Sequence, residues 1–337
     1  MKTRILTSVS LMVVVLAMAN LFAGQAQKAA GQPVQARPGL QMQPPKLDAG
    51  AHLNPLKIAL LHWYLADTET LVGVGNEPLG LCFDGANIWT ANYNDNTVTK
   101  VQADDGQVLG TFKVGTQPFG VTFDGADVWV SNELDNNVTK LRASDGKTLG
   151  TFPTGAFPAW MAFDGQSLWV PNARDNTVSK LRTTDGKVLG TFAVGSSPTA
   201  IAFDGANVWV TNNGSATVTE LRASDGAVLG TFTVGNGALG IAFDGADIWV
   251  ANRNSSTVSK LRASDGTVLG TFSTPNGAYG LAFDGIYVWV SGDLYTYVLR
   301  ASDGAQVAAY KLQTQGVAFD GAFVWMTETN NNRLHKF

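Results

Sequence analysis

From about residue 70 onward, apolar positions fall into short runs separated by Gly, Asp, Asn and Ser. Runs of that length, rich in Val, Ile, Phe and Trp and bounded by Asp-Gly breaks, predict β-strands. The segment Gly240 to Thr274 (GIAFDGADIWVANRNSSTVSKLRASDGTVLGTFST) divides into four of them: A, Gly240–Phe243; B, Ile248–Ala251; C, Thr257–Arg262; and D, Val268–Phe272. Apolar residues crowd all four, as expected of a small sheet packed on both faces. Asp244-Gly245 and Asp265-Gly266 close the A–B and C–D hairpins, since glycine takes positive φ without steric cost.

This unit repeats. Phe-Asp-Gly recurs with its Phe at 83, 123, 163, 203, 243, 283 and 319, and a Trp follows each Phe by six residues. A fixed period near forty residues, with two Asp-Gly turns in each copy, excludes a helical solenoid and predicts a seven-bladed all-β propeller of four-stranded antiparallel blades. A parallel β-helix usually has shorter coils. The last copy ends at Phe337 after strands A, B and C, while Glu69 to Gly75 (ETLVGVG) aligns with a strand D that has no A, B or C before it. Joining the two completes one blade, so an N-terminal strand is expected to close the ring and remove its open edge.

With repeats written WVSN, WVTN and WVAN, the chain resembles the seven-bladed bacterial propellers with Tyr-Val-Thr-Asn-type repeats. It is also similar to the streptogramin-lyase-like propellers, above all in its last blade, GVAFDGAFVWMTETNNNRLHKF. The resemblance spans about residues 66–337 and implies the fold. Propellers host many unrelated activities, so it implies little about function.

The N-terminus changes the picture of where the protein works. Lys2 and Arg4 precede an apolar core, Leu11 to Ala19, with small residues at Ala17, Ala19, Ala23 and Ala26. Residues 1–26 read as a signal peptide, because a spanning helix needs roughly 20 apolar residues and this run is shorter. Residues 27–55, with Gln, Ala and Pro prominent, read as a flexible linker, and 56–337 as the propeller domain. Residues 56–65 (LKIALLHWYL) open it as a short helix or an extended segment. No later segment is apolar enough to span a membrane, so a secreted or periplasmic protein, monomeric, is expected. Cys82 is the only cysteine, which excludes an intrachain disulfide and a lipid anchor near the cleavage site. Removing the signal takes away two positive charges and no acid, moving the formal net charge from −4 to −6. Nonspecific attraction to nucleic acid is therefore not expected.

Strand direction alternates, so the A–B and C–D turns share one end of the disc and the B–C and D–A connections share the other. The first end repeats nearly unchanged. The second varies: Leu79, Phe119, Ala159, Thr199, Leu239 and Tyr279 at the D–A connection, with Phe157 and Trp160 adding aromatic bulk, and Tyr93, Glu133, Ala173 with Arg174, Asn213, Arg253 and Asp293 at the B–C connection. Drift explains any one of these. Together, the bulky and charged positions Phe119, Phe157, Trp160, Arg174, Arg253 and Tyr279 make a candidate ligand-binding set. The sixth copy is two residues shorter between Trp289 and Arg300 than between Trp249 and Arg262, and a second pair is missing between Gly304 and Phe319. Both losses fall on this end, where a notch and simple indel tolerance are equal readings. Asn92, Asn132, Asn172, Asn212 and Asn252 are expected to bond the B–C turn backbone, and the Asp of each Phe-Asp-Gly to stabilise its own turn.

Catalytic chemistry is thin. The lyase resemblance implies a His and a Glu at the propeller mouth, but His52, His62 and His335 are the only histidines, and none lies between residues 63 and 334. His335 reads as structural and Glu328 as part of the family's Trp-x-Thr-Glu. There is no zinc spacing and no nucleophile elbow, and neither cofactor nor metal is expected. The expected function is a non-catalytic binding module for a protein, peptide or glycan ligand. A lyase-like enzyme and a nucleic-acid-binding propeller remain as alternatives.

Overall fold

A computed structural model describes residues 70–337, which form seven antiparallel sheets of four strands each. The signal segment, the linker and residues 56–65 lie outside the described residues. Blade 1 comprises β2 (Pro78–Phe83), β3 (Asn87–Asn92), β4 (Thr97–Gln102) and β5 (Val108–Lys113), ordered from the axis outward. In blade 5 the strands run Ala238–Phe243, Asp247–Asn252, Thr257–Arg262 and Val268–Ser273, within two residues of the expected bounds. The remaining strand, β1 (Thr70–Gly73), pairs antiparallel with Arg333–Lys336, with Thr70 opposite Lys336 and Gly73 opposite Arg333. The chain's two ends thus share blade 7, and the ring closes as the sequence implied.

The Phe-Asp-Gly turn does more than reverse the chain. Gly245 takes φ +97° and Gly266 φ +70°. In the A–B turn, Asp244 Oδ1 accepts the N–H groups of Ala246 and Asp247, and its Oδ2 accepts Trp249 Nε1 at 2.7 Å. The Trp-to-Asp bond is 2.7 Å in all seven blades. Each indole N–H would otherwise be buried without a partner, at about 1–3 kcal/mol. One repeated dipeptide therefore serves both the turn and the core.

The core lies between blades. Among the described residues it forms seven clusters, each built on one repeat Trp set against apolar side chains of the following blade. Trp89 meets Val121, Val128 and Leu141; Trp209 meets Ile241, Ile248 and Leu261; Trp325 of blade 7 meets Leu81, Ile88 and Val101 of blade 1. Six of the seven indoles are fully buried and Trp289 is 5% exposed. Burying one contributes roughly 4–6 kcal/mol on the area scale.

A lysine on strand C links blades further. Lys100 donates from Nζ to Ala143 O of the next blade at 2.7 Å, with its ammonium 5.2 Å from the Trp89 ring centroid. Lys140, Lys180 and Lys260 do the same to Thr183, Ala223 and Ala301, and Lys336 reaches Ala103 O at 2.7 Å across the closure. Blade 4 has Glu220 at this place and blade 6 has Val298.

The recurrent asparagines differ from expectation. Their side chains are fully buried and turn onto strand C rather than the B–C turn backbone. Asn92 Nδ2 donates to the Thr97 and Thr99 hydroxyls, and Asn132 Oδ1 accepts the Gly115 N–H at 3.0 Å. The physical reason is proximity: a Cβ on Gly115 would stand 2.5 Å from Asn132 Cγ, so the carboxamide is wedged between strand C and the incoming D–A connection.

Candidate ligand-binding rim

The inner strands approach one another closely at the rim end of the axis. A Cβ at Gly240 would fall 2.1 Å from Tyr279 O of the next blade, and one at Gly316 would fall 2.1 Å from Leu79 O. The equivalent residue in blade 3 is Trp160, where five blades carry glycine and blade 4 carries Ala200. There the backbone rearranges. The blade 3 inner strand shrinks to Ala162–Phe163, and Trp160 N–H donates to Thr199 O of blade 4 at 3.0 Å. In blades 2, 4, 6 and 7 a hydroxyl on strand B accepts that inner N–H, as from Gly120 to Ser131 and from Ala200 to Thr211. Blade 3 has Pro171 at the hydroxyl position, so its amide turns to the neighbouring blade.

Trp160 is half-buried. It lines an axial channel of about 150 Å³ whose other walls are Gly80, Gly240, Gly280, Gly316 and the adjoining Leu, Ile and Val residues. Its ring lies 4.7 Å from that of Phe119, tilted 53°. Phe119 in turn meets Tyr93 edge-on at 6.3 Å. The Tyr93 hydroxyl donates to Glu133 Oε2 at 2.7 Å and lies 2.9 Å from the Gln117 carboxamide oxygen. Burial and the Glu133 hydrogen bond push the Tyr93 phenol up, so it keeps its proton. Three aromatic rings from three consecutive blades thus run from the rim into the channel mouth, with a carboxylate at the outer end.

The other four candidates form two separate pairs. Arg174 stacks its guanidinium 3.4 Å from the Phe157 ring centroid. Phe157 holds φ +59° at the D–A connection, where blades 5 and 6 have Gly237 and Gly277, and its N–H donates to Asn136 Oδ1 at 3.0 Å. On blades 5 and 6, Arg253 lies 4.5 Å from the Tyr279 ring centroid, and the Tyr279 hydroxyl donates to Asp293 at 2.5 Å. Tyr279 is only 7% exposed, and burial together with Asp293 pushes its phenol up to about 12. It is a packed anchor that holds the shortened blade 6 connection. The six candidates therefore share one end of the disc but do not form one contact surface. Tyr93, Glu133 and Gln117, outside the candidate set, join it through their contacts.

Among the described residues the histidine and the cysteine are tied into packing. His335, the one histidine among the described residues, is 2% exposed, and its Nε2 lies 2.6 Å from Glu328 Oε2. Arg333 and Asn331 also donate to that carboxylate. Burial alone would raise Glu328, but these hydrogen bonds from Arg333, His335 and Asn331 outweigh it and hold the carboxyl at about 2. Glu328 and His335 occupy the places of Asn92 and Thr99, so this is a charged version of the repeat's own Asn–Thr contact. Burial, with Asp84 nearby, pushes the Cys82 thiol up, which disfavours the nucleophilic thiolate. No three His, Cys, Asp or Glu side chains among the described residues converge as metal ligands.

No protein-family model and no curated protein matches the chain. Solved structures do. A streptogramin B lyase superposes with a TM-score of 0.69 at 16% identity, covering 80% of this chain and 96% of the lyase chain. Hydrazine synthase from Kuenenia stuttgartiensis gives the same TM-score at 18% identity, over 77% of this chain and 95% of that one. At those identities the likeness concerns the fold alone: this is a seven-bladed β-propeller.

Proposed function

We propose that the chain is a non-catalytic binding propeller that works outside the cytoplasm, taking a protein, peptide or glycan ligand on the rim of D–A and B–C connections. The contrast between the two ends of the disc carries this reading. At the A–B and C–D end the repeated polar groups are consumed by turns, indole N–H groups and blade links. At the other end the copies diverge, and half-buried aromatics collect on blades 1 to 3. Phe157 adds to it: the D–A connection takes a left-handed residue in blades 1 to 6, and blade 3 places a bulky ring there where blades 5 and 6 have glycine. The apolar run Leu11 to Ala19 behind Lys2 and Arg4 supports export, and the acidic balance argues against nucleic acid. A lyase-like reading would need a histidine at the rim, whereas His335 is buried and tied to Glu328.

The test is a peptide and glycan array probed with residues 27–337, in parallel with Phe119→Ala and Phe157→Gly. Phe157→Gly relieves the left-handed strain as it removes the Arg174 stack, so stability should move by less than about 1 kcal/mol. Capture lost in both variants supports the rim. Capture unchanged in both would place the site elsewhere.

A further inference from the structure

Eight rings among the described residues have a lysine or arginine over them. Lysine ammonium groups stand over Trp89, Trp129, Trp169 and Trp249 at 4.9–5.2 Å. At the variable rim, Phe157 carries Arg174 and Tyr279 carries Arg253. The run Tyr93–Phe119–Trp160 on the same rim has a carboxylate beside it instead. Each ring is half-buried, each is within contact distance of the next, and no lysine or arginine among the described residues stacks on any of them.

The surroundings of the run are acidic. Glu133 sits on the Tyr93 hydroxyl, and Glu77 Oε2 accepts from Asn94 Nδ2 at 2.5 Å on the same connection. Asp95 and Asp135 lie on the adjoining B–C turns, each accepting a backbone N–H at 2.7 Å. A neutral guest would gain apolar contact here but leave this field unanswered. A bare ammonium would answer the field but lose its water against ring faces and glycine backbone. A cation with an apolar skin satisfies both, which is why aromatic sites with a nearby carboxylate suit quaternary ammonium groups.

We propose that the Tyr93–Phe119–Trp160 run binds a small alkylammonium ligand, its methylated head group seated against the three rings and its charge countered by Glu133. This rests on the reading of the rim as the binding face, and narrows the ligand to one chemistry. Trp160 supplies the ring face at the channel mouth and Phe119 the ring packed beside it. Tyr93 supplies a third face and, by donating to Glu133, fixes that carboxylate beside the site.

The probe is choline, titrated calorimetrically into the protein beside its neutral isostere 3,3-dimethylbutan-1-ol. Choline should bind saturably, with the isostere about ten-fold weaker because it lacks the charge that rings and carboxylate recognise. Phe119→Ala should weaken choline about ten-fold or more. Glu133→Gln, a change of charge at a half-exposed rim residue that leaves the packing intact, should remove most of the preference for choline over the isostere. Equal affinity for the two probes, or no saturable choline binding, overturns the proposal. So does choline binding that both variants leave unchanged. If choline fails while array capture remains sensitive to Phe119→Ala, the rim stands and only the alkylammonium chemistry falls.

Discussion

Glu220→Lys should make the protein more stable. In blade 4, Glu220 occupies the place where five blades carry the linking lysine, beside Asp204 and within 2.7 Å of Asn207 Nδ2. Burial, with Asp204 adding like charge, pushes its carboxyl up. Blade 1 shows what the substitution would build, because Lys100 there has the same neighbours in Asn87 and Asp84. Lys100 reaches the next blade's Ala143 O while Asn87 Nδ2 turns to Asp84 at 3.1 Å. A lysine at 220 gains a charge-assisted bond to Ala263 O, about 1.5–3 kcal/mol, and a contact over Trp209 of about 0.5–1 kcal/mol. Ammonium desolvation and side-chain ordering oppose these, and Asn207 exchanges one carboxylate for another. The net gain should be about 1–2 kcal/mol, or roughly 2–4 °C in Tm. The pH dependence sharpens the test. A carboxyl raised in the folded state leaves stability intact below its unfolded value, near pH 4.3, and erodes it as pH climbs through the folded one. The advantage of the lysine over the wild type should thus be larger at pH 7.5 than at pH 4.5, read by calorimetric melts. A Tm that is unchanged or lower at pH 7.5 would refute the idea that this lysine links the blades.

Removing the residues before Asn76 deletes β1, and with it the partner of Arg333–Lys336 and the Val72 contact in the closing core. Such a chain should lose its cooperative melt or aggregate through the bare edge; a melt like that of the full chain would contradict closure. Glu328→Gln should cost roughly 1.5–3 kcal/mol at pH 7 by weakening the hydrogen bonds it accepts from Arg333, Asn331 and His335. Because the Glu328 carboxyl is depressed to about 2, its stabilisation is present above about pH 4.3 and disappears as pH falls toward 2. Acid titration of the two proteins should converge over that window. Trp209→Ala should lower stability by about 3–5 kcal/mol, measured by denaturant unfolding, since it empties the space between blades 4 and 5 and strands Asp204.

The period of Phe-Asp-Gly and Trp made blade number, strand order and closure legible, because each is a matter of counting along the chain. Contacts that cross between blades were not. Lys100 and its equivalents stand eleven residues after each Trp, a visible spacing, yet their partners lie in the following blade and no local pattern points there. The asparagines find strand C rather than their own turn for a related reason: the glycine that wedges them arrives from the preceding D–A connection, as Gly115 does for Asn132. At the rim, aromatic character was readable but exposure was not. Tyr279 looked like a free rim residue, and the Asp293 connection folds over it. Trp160 could have been flagged as unusual by aligning it with Gly80, Gly120 and Gly240, but its seat in the channel depends on how far neighbouring inner strands close. Tyr93 and Glu133 come together only because blade 1 leans its B–C connection over blade 2.

The lysine links all point the same way round the ring, and two are missing. No lysine reaches from blade 4 to blade 5, where Glu220 stands, or from blade 6 to blade 7, where Val298 stands. Mechanically the disc is therefore two riveted arcs, one of blades 7, 1, 2, 3 and 4 and a shorter one of blades 5 and 6, meeting at two unriveted seams. Load or heat should part it at those seams first. The aromatic run lies wholly on the long arc, with blade 7 between it and one seam and blade 4 between it and the other, so the channel mouth on that side can hold its shape while the short arc breathes.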